Sequence, residues 1–253
     1  MQRHFKSATV NYPTNASGTV HPLIENWSTN NTDLKGVILS TYGASGTNED
    51  ESFLSVQLFY DGPTPPSGLF DGFLNVPGAN VNLIGTTSFP AALGTLNGAF
   101  GALNPPRTIR NTVPITHYTA GVLDEMKAQL ESIVTQTRDN NRSFISLVIT
   151  TEPQMHIRIH THRGGSFAQL DWNDSGSDEF FVNLVSQTQQ AIQSRAIEVG
   201  QSTPNAILYN NYAPANTPLD LIYGDNLGRL REVKRRVDPE NVMALAGGFK
   251  IDP

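Results

Sequence analysis

Apolar and polar positions alternate with a period of two along residues 7–13, 36–42 and 52–60, the pattern of strands that bury one face. The last two are predicted to pair antiparallel across the polar loop at 43–51, and Asp61-Gly62-Pro63 ends the second. A helical stripe of Leu23, Ile24 and Trp27 predicts a helix over 21–30. Two longer helices follow from wider stripes. Val122, Met126, Leu130, Ile133 and Val134 mark 119–138 behind a Thr119 cap, and Phe181, Leu184, Val185, Thr188, Ile192 and Ala196 mark 178–199 behind Ser177. Further strands are expected at 107–118, 143–151, 155–162, 167–172 and 206–212, with short Ser-capped helices at 67–74 and 88–96. Residues 77–106 are rich in Gly, Asn and Pro and read as a mobile loop rather than as core. Finally, 225–236 forms a basic amphipathic helix with Leu227, Leu230, Val233 and Val237 along one side.

Strands that follow one another without crossover helices must pair antiparallel. The order therefore predicts an α+β fold, a single antiparallel sheet with helices packed on one face and a C-terminal helical extension. A substrate-binding domain is expected over 1–207, with a separate C-terminal element over 208–253 packing against it.

Composition narrows the function. The chain carries 17 Lys plus Arg against 23 Asp plus Glu, which gives no electrostatic case for nucleic acid or an anionic membrane. Cysteine is absent, which removes disulfides, thiolate metal sites and a cysteine nucleophile. The N-terminal residues lack the apolar core of a signal peptide, and no apolar run is long enough to span a bilayer. Five N-x-S/T sequons, at Asn15, Asn26, Asn30, Asn141 and Asn173, are what chance produces in a chain this rich in Asn, Ser and Thr.

Candidate chemistry is sparse. At strand period His156, Arg158, His160 and His162 share a face, but Arg158 in the row opposes a cation. The row suits a solvated polar face, or the polar floor of a substrate pocket, better than a metal site. Glu152, at a strand-to-strand corner, serves either as a general acid or base or as a holder of turn amides. Asp174 and Asp178 suit the N-terminus of the helix that follows them. No dinucleotide, phosphate-loop or nucleophile-elbow motif is present, and Gly164-Gly165 and Gly247-Gly248 lack the context for one.

The tail gives the strongest signal. Leu208-Tyr209-Asn210-Asn211-Tyr212-Ala213 is followed by Tyr223-Gly224-Asp225-Asn226, Arg229-Leu230, Val233-Lys234, Asp238-Pro239-Glu240-Asn241-Val242 and Gly247-Gly248-Phe249. In order and spacing this resembles the C-terminal element of berberine bridge enzyme-like FAD-linked oxidoreductases. Upstream, Phe59-Tyr60-Asp61-Gly62-Pro63, Phe70-Asp71-Gly72-Phe73-Leu74, Asn111-Thr112-Val113-Pro114 and Trp172-Asn173-Asp174 look like fungal members.

The resemblance implies a two-domain flavoprotein, often secreted, in which an α+β domain covers the substrate side of an FAD held by another domain. This chain is expected to represent the substrate half, oxidising an alcohol, sugar or secondary metabolite and binding no FAD alone, with a separate FAD-domain chain or a homodimer as its partner. By the same resemblance Tyr209 or Tyr212 is a proton acceptor or substrate contact, joining Glu152 as candidate catalytic groups, and Asn211 and Tyr209 are the candidate flavin contacts; the alternative, favoured for Tyr212, is a buried tyrosine that only satisfies its hydroxyl. His156, Arg158, His160 and Trp172 are the candidate substrate contacts. Two other readings stay open: a cofactor-independent isomerase, cyclase or lyase using the same pocket, and a binding remnant without catalysis.

Overall fold

The computed structural model describes residues 4–46, 52–88, 105–153 and 164–252. Among these, seven strands build one sheet: β1 (His4–Tyr12), β2 (Gly36–Ser45), β3 (Phe53–Tyr60), β4 (Asn80–Ser88), β5 (Arg107–Ile115), β6 (Ser146–Thr151) and β7 (Gly164–Trp172). Their spatial order is β4-β1-β3-β2-β6-β7-β5, and every neighbouring pair is antiparallel. The expected α+β architecture is what forms.

Helices α1 (Ser17–Asn30), α3 (Ala120–Asp139) and α4 (Asp178–Glu198) pack on each other and on one face of the sheet; α2 is the single turn Asp71–Leu74. The alternation within the strands explains the choice of face. Val10, Ile38, Val56, Leu58, Leu147, Ile149, Ala168 and Leu170 point into the helix layer and are buried, meeting Ile24, Val122, Met126, Ile133, Phe181 and Val185. The opposite face is more polar, with Thr9, Thr41, Gln57, Thr150 and Gln169 alternating with the core residues, and carries Leu39, Phe59 and Phe167 half-buried. Thr119 caps α3 as its position predicts, accepting from the Val122 amide at 3.4 Å.

Several expectations are corrected. Residues 80–88, read from sequence as part of a loop, form the edge strand β4. Polar Asn and Thr side chains suit an edge, and Gly85, at φ 74°, stands at the break in register opposite Ser7 and Ala8. Helix α1 starts at Ser17, four residues before the predicted start, with Pro22 inside it. The predicted helix over 67–74 shrinks to α2, and Ser67 does not cap it. Ser177 does not cap α4 with its side chain either. Its hydroxyl lies 3.2 Å from Asp174 Oδ2 and 3.1 Å from Arg142 Nη1. Residues 206–212 make no strand: the Leu208 amide donates to Leu221 O at 2.8 Å and the Tyr212 amide turns back on Tyr209 O at 3.0 Å. The predicted elements at 88–96 and 155–162 lie wholly or almost wholly outside the described residues.

Beyond this loop run α5 (Leu219–Tyr223) and α6 (Leu227–Val237), and no residue of α6 is fully buried. Asp238 ends α6 by pairing with Lys234 and accepting the amides of Val242 and Met243 at 2.8 and 3.0 Å. No helix among the described residues is long and apolar enough to cross a membrane.

Candidate active site

The sheet face turned away from the helices is where the tail returns. Thr150 faces that side, so Glu152, two residues on, does too, and its amide still bonds Gly165 O on β7 at 2.9 Å. The 209–212 turn lays the Tyr212 ring 4.6 Å from the Phe167 ring, centroid to centroid, and brings its hydroxyl onto Glu152. Tyr212 Oη donates to Glu152 Oε1 at 2.7 Å. A glycine at 165 makes this possible, because a Cβ there would stand 3.1 Å from Glu152 Oε2 and 3.7 Å from the Tyr212 ring. Beneath the pair, the fully buried Tyr118 donates to Gly165 O at 2.6 Å.

Tyr209 closes the cluster. Its ring meets that of Tyr212 edge-on at 5.0 Å, it is 41 % exposed, and its hydroxyl accepts from Asn211 Nδ2 at 2.5 Å. Asn211 thus fixes the neighbouring phenol. Arg110 and Gln169 face each other on β5 and β7 one step along the same face, joined by a 2.6 Å bond from Arg110 Nε to Gln169 Oε1.

The electrostatics fit proton transfer. Burial raises the Glu152 carboxyl above its ordinary value, and the Tyr212 hydroxyl only partly offsets this. Burial, then the bond to Glu152, raises the Tyr212 phenol; Arg110 acts in the opposite sense. At rest the phenol therefore keeps its proton, and the carboxylate is the basic partner.

Of the candidates named from sequence, Glu152, Tyr209, Asn211 and Tyr212 are brought together. Trp172 is not: it lies in the helix-side core, its ring 5.2 Å from Phe181 and its Nε1 donating to Asp178 Oδ1 at 2.9 Å. That bond, with the Arg107 ion pair at 3.2 Å, accounts for Asp178, while Asp174 accepts the Gly176 amide at 3.0 Å. His156, Arg158 and His160 lie outside the described residues. Tyr118, Phe167 and Gly165 were missed. The only sequence signal was a paired glycine at 164–165, and it points to a turn rather than to a carboxylate seated against the backbone. Among the described residues no group of three His, Cys, Asp or Glu could hold a metal ion.

The same tail that supplies Tyr209, Asn211 and Tyr212 matches a family model: residues 208–246 fit the one described as berberine and berberine like. The likeness to that family lies in this segment. The berberine-like segment thus provides half of the cluster, and the sheet provides Glu152, Phe167 and Tyr118. Among solved structures, the whole chain is similar to a glycopeptide hexose oxidase complexed with teicoplanin, with 14 % identity and a TM-score of 0.67 over 56 % of that chain. It is equally similar to 6-hydroxy-D-nicotine oxidase from Arthrobacter nicotinovorans, with 16 % identity and a TM-score of 0.67 over 55 % of that chain. Xylooligosaccharide oxidase from Myceliophthora thermophila C1, in complex with xylobiose, gives 13 % identity and a TM-score of 0.60 over 56 %. All of this chain is covered in each comparison, so it spans about half the length of these proteins and shares their fold over that half. No curated protein sequence matches it.

Proposed function

We propose that this chain is the substrate half of an FAD-linked oxidoreductase, with Tyr212 and Glu152 as its proton-accepting pair. The observation that carries the reading is the 2.7 Å bond from Tyr212 to a half-buried carboxylate, raised by desolvation, on the face that no helix among the described residues covers. The similar solved structures are oxidases of sugars and of an alkaloid, which supports oxidation of a small hydroxyl- or amine-bearing molecule.

The open face fits a flavin. It offers the exposed edge of Tyr209 and the Asn211 amide as polar contacts beside half-buried apolar and aromatic side chains. FAD, when bound, supplies the two-electron acceptor for the hydride lost from the substrate carbon. The work of this chain is to hold the substrate hydroxyl against Tyr212 Oη. As the C–H bond breaks, Tyr212 takes the hydroxyl proton and passes its own to Glu152 Oε1, so no net charge is left on the phenol.

Helix α6 supplies the docking surface for the flavin-binding part. Leu227, Leu230 and Val233 are half-buried and Val237 exposed, although α6 is the most amphipathic helix of the chain. The purified protein tests this. Flavin absorption bands are expected to travel with a species larger than the 27.6 kDa chain, and the isolated chain is expected to be folded and colourless. A yellow 27.6 kDa monomer would overturn the division of labour.

A second reading rests on the same pair. Because the proton acceptor lies wholly within this chain, an isomerase or lyase that needs only acid–base chemistry is served by the same geometry. Turnover by the colourless chain would select it.

A further inference from the structure

The open face carries a second polar row that the proton-transfer pair does not use. Asp171, only 3 % exposed, accepts from Ser146 Oγ at 2.6 Å and from Gln169 Nε2 at 3.1 and 3.0 Å through its two oxygens. Those bonds fix the Gln169 amide, so its oxygen faces Arg110 and takes the 2.6 Å bond from Nε. An exposed guanidinium is thereby tied, through a glutamine, to a buried carboxylate. That bond uses Nε, which leaves the two terminal nitrogens with no carboxylate partner among the described residues.

A surface arginine held in this manner is preorganised for a planar anion, which two parallel N–H bonds from the terminal nitrogens would grip. Its position is informative. Arg110 faces Gln169, while Thr112 faces Phe167, the ring on which Tyr212 lies. The backbone at Arg110 thus stands two strand residues, about 7 Å, from the position opposite the Phe167–Tyr212 contact, and the guanidinium is near enough to counter the effect of Glu152 on that phenol. A separation of this order is the length of a ring-sized molecule. One cationic group flanked by two carboxyl side chains, Glu152 and Asp171, suits a monoanion better than a phosphate dianion.

We propose that Arg110 is a specificity-determining residue that binds the carboxylate of an acidic substrate, a hydroxy acid one ring long of which the hexuronic acids are the simplest form. Gln169 and Asp171 are its positioning residues. The inference rests on the reading of the open face as the substrate surface. It explains why a polar chain reaching from a buried aspartate ends at an exposed arginine beside the reacting groups.

Glucuronate and glucose test it, since they share a ring and differ in the carboxylate. Each is titrated into the full chain and followed by heteronuclear NMR of the Arg110 and Gln169 side chains. Glucuronate is expected to bind about tenfold more tightly than glucose, and Arg110→Gln to remove that preference. Arg110→Lys keeps the charge without the fork and is expected to restore only part of it. If both sugars shift the open-face signals equally, in wild type and R110Q alike, the anionic preference is wrong and the substrate face stands. If neither sugar shifts any open-face signal at millimolar concentration, the proposal and the substrate-face reading fall together.

Discussion

Tyr212 and Glu152 depend on each other more than on anything else around them. Removing the hydroxyl with Tyr212→Phe leaves the carboxylate without its donor, so the Glu152 carboxyl rises further. Carboxyl-carbon NMR titration of wild type against Y212F is expected to show that rise. A lower value in the variant would mean the bond does not hold in solution. Glu152→Gln has a different effect. Because the folded carboxyl binds its proton more tightly than the unfolded one, its contribution to stability is complete below the ordinary carboxyl range and is lost as pH rises through the raised value. Glutamine cannot ionise, yet its oxygen still accepts from Tyr212. E152Q is therefore expected to lose this pH dependence and to be no less stable than wild type at neutral pH, as urea midpoints measured across the acid-to-neutral range would show. A variant destabilised by more than about 1 kcal/mol would indicate that the ionised carboxylate serves the fold.

At the scale of elements, a relay running from exposed Asp124 to buried His21 and Tyr42 ties the helix layer to the sheet. His21 of α1 donates from Nδ1 to Asp124 Oδ1 of α3 at 2.7 Å, and Tyr42 of β2 donates to His21 Nε2 at 2.7 Å. Burial lowers the imidazole below its ordinary value despite Asp124, with Lys127 acting in the same sense as burial. The unfolded chain then binds more protons, so stability is expected to fall as pH drops below about 6.5 and to be complete above it. Tyr42→Phe leaves the ring nitrogen without a donor and should cost about 1–3 kcal/mol, read from urea unfolding. An unchanged midpoint would show that the relay bears no load. Helix α6 offers a contrasting test. A Cβ at Gly228 would meet nothing within 4 Å, so Gly228→Ala should slow amide exchange along α6 by an amount equivalent to about 0.5–1 kcal/mol.

These elements also show what the sequence could reveal. Helices α3 and α4 were legible because their stripes run for more than three turns and Thr119 stands at the start of the first. Strand β4 was not, because an edge strand needs no apolar alternation and its Gly85 bulge resembles a loop. The segment 206–212 misled in the other direction. Its apolar start suggests a strand, but whether a backbone finds a ladder depends on which edges remain unpaired, and here α5 takes the Leu208 amide. The site divided along the same line. Tyr209, Asn211 and Tyr212 were legible as a clustered tail motif. Arg110 becomes part of the site only through strand register, and Tyr118, in the turn after β5, only through its bond to Gly165 O.

At the scale of the whole molecule, among the described residues, three helices pack on one sheet face and the tail packs on the other. The tail continues past α6, where Val237, Val242 and Met243 are exposed and Leu245 is 91 % exposed. Leu230→Glu in α6 is expected to leave the thermal transition of the chain within a few degrees of wild type while abolishing co-purification with the flavin-bearing species. Retained flavin in L230E would move the docking surface elsewhere. The most direct test of the central claim is the rate at which substrate reduces the flavin in the assembled protein, followed by stopped-flow absorbance in wild type and Y212F. The account predicts a fall of about 10²–10⁴-fold in that rate with flavin content unchanged. Equal rates in the two proteins would contradict it.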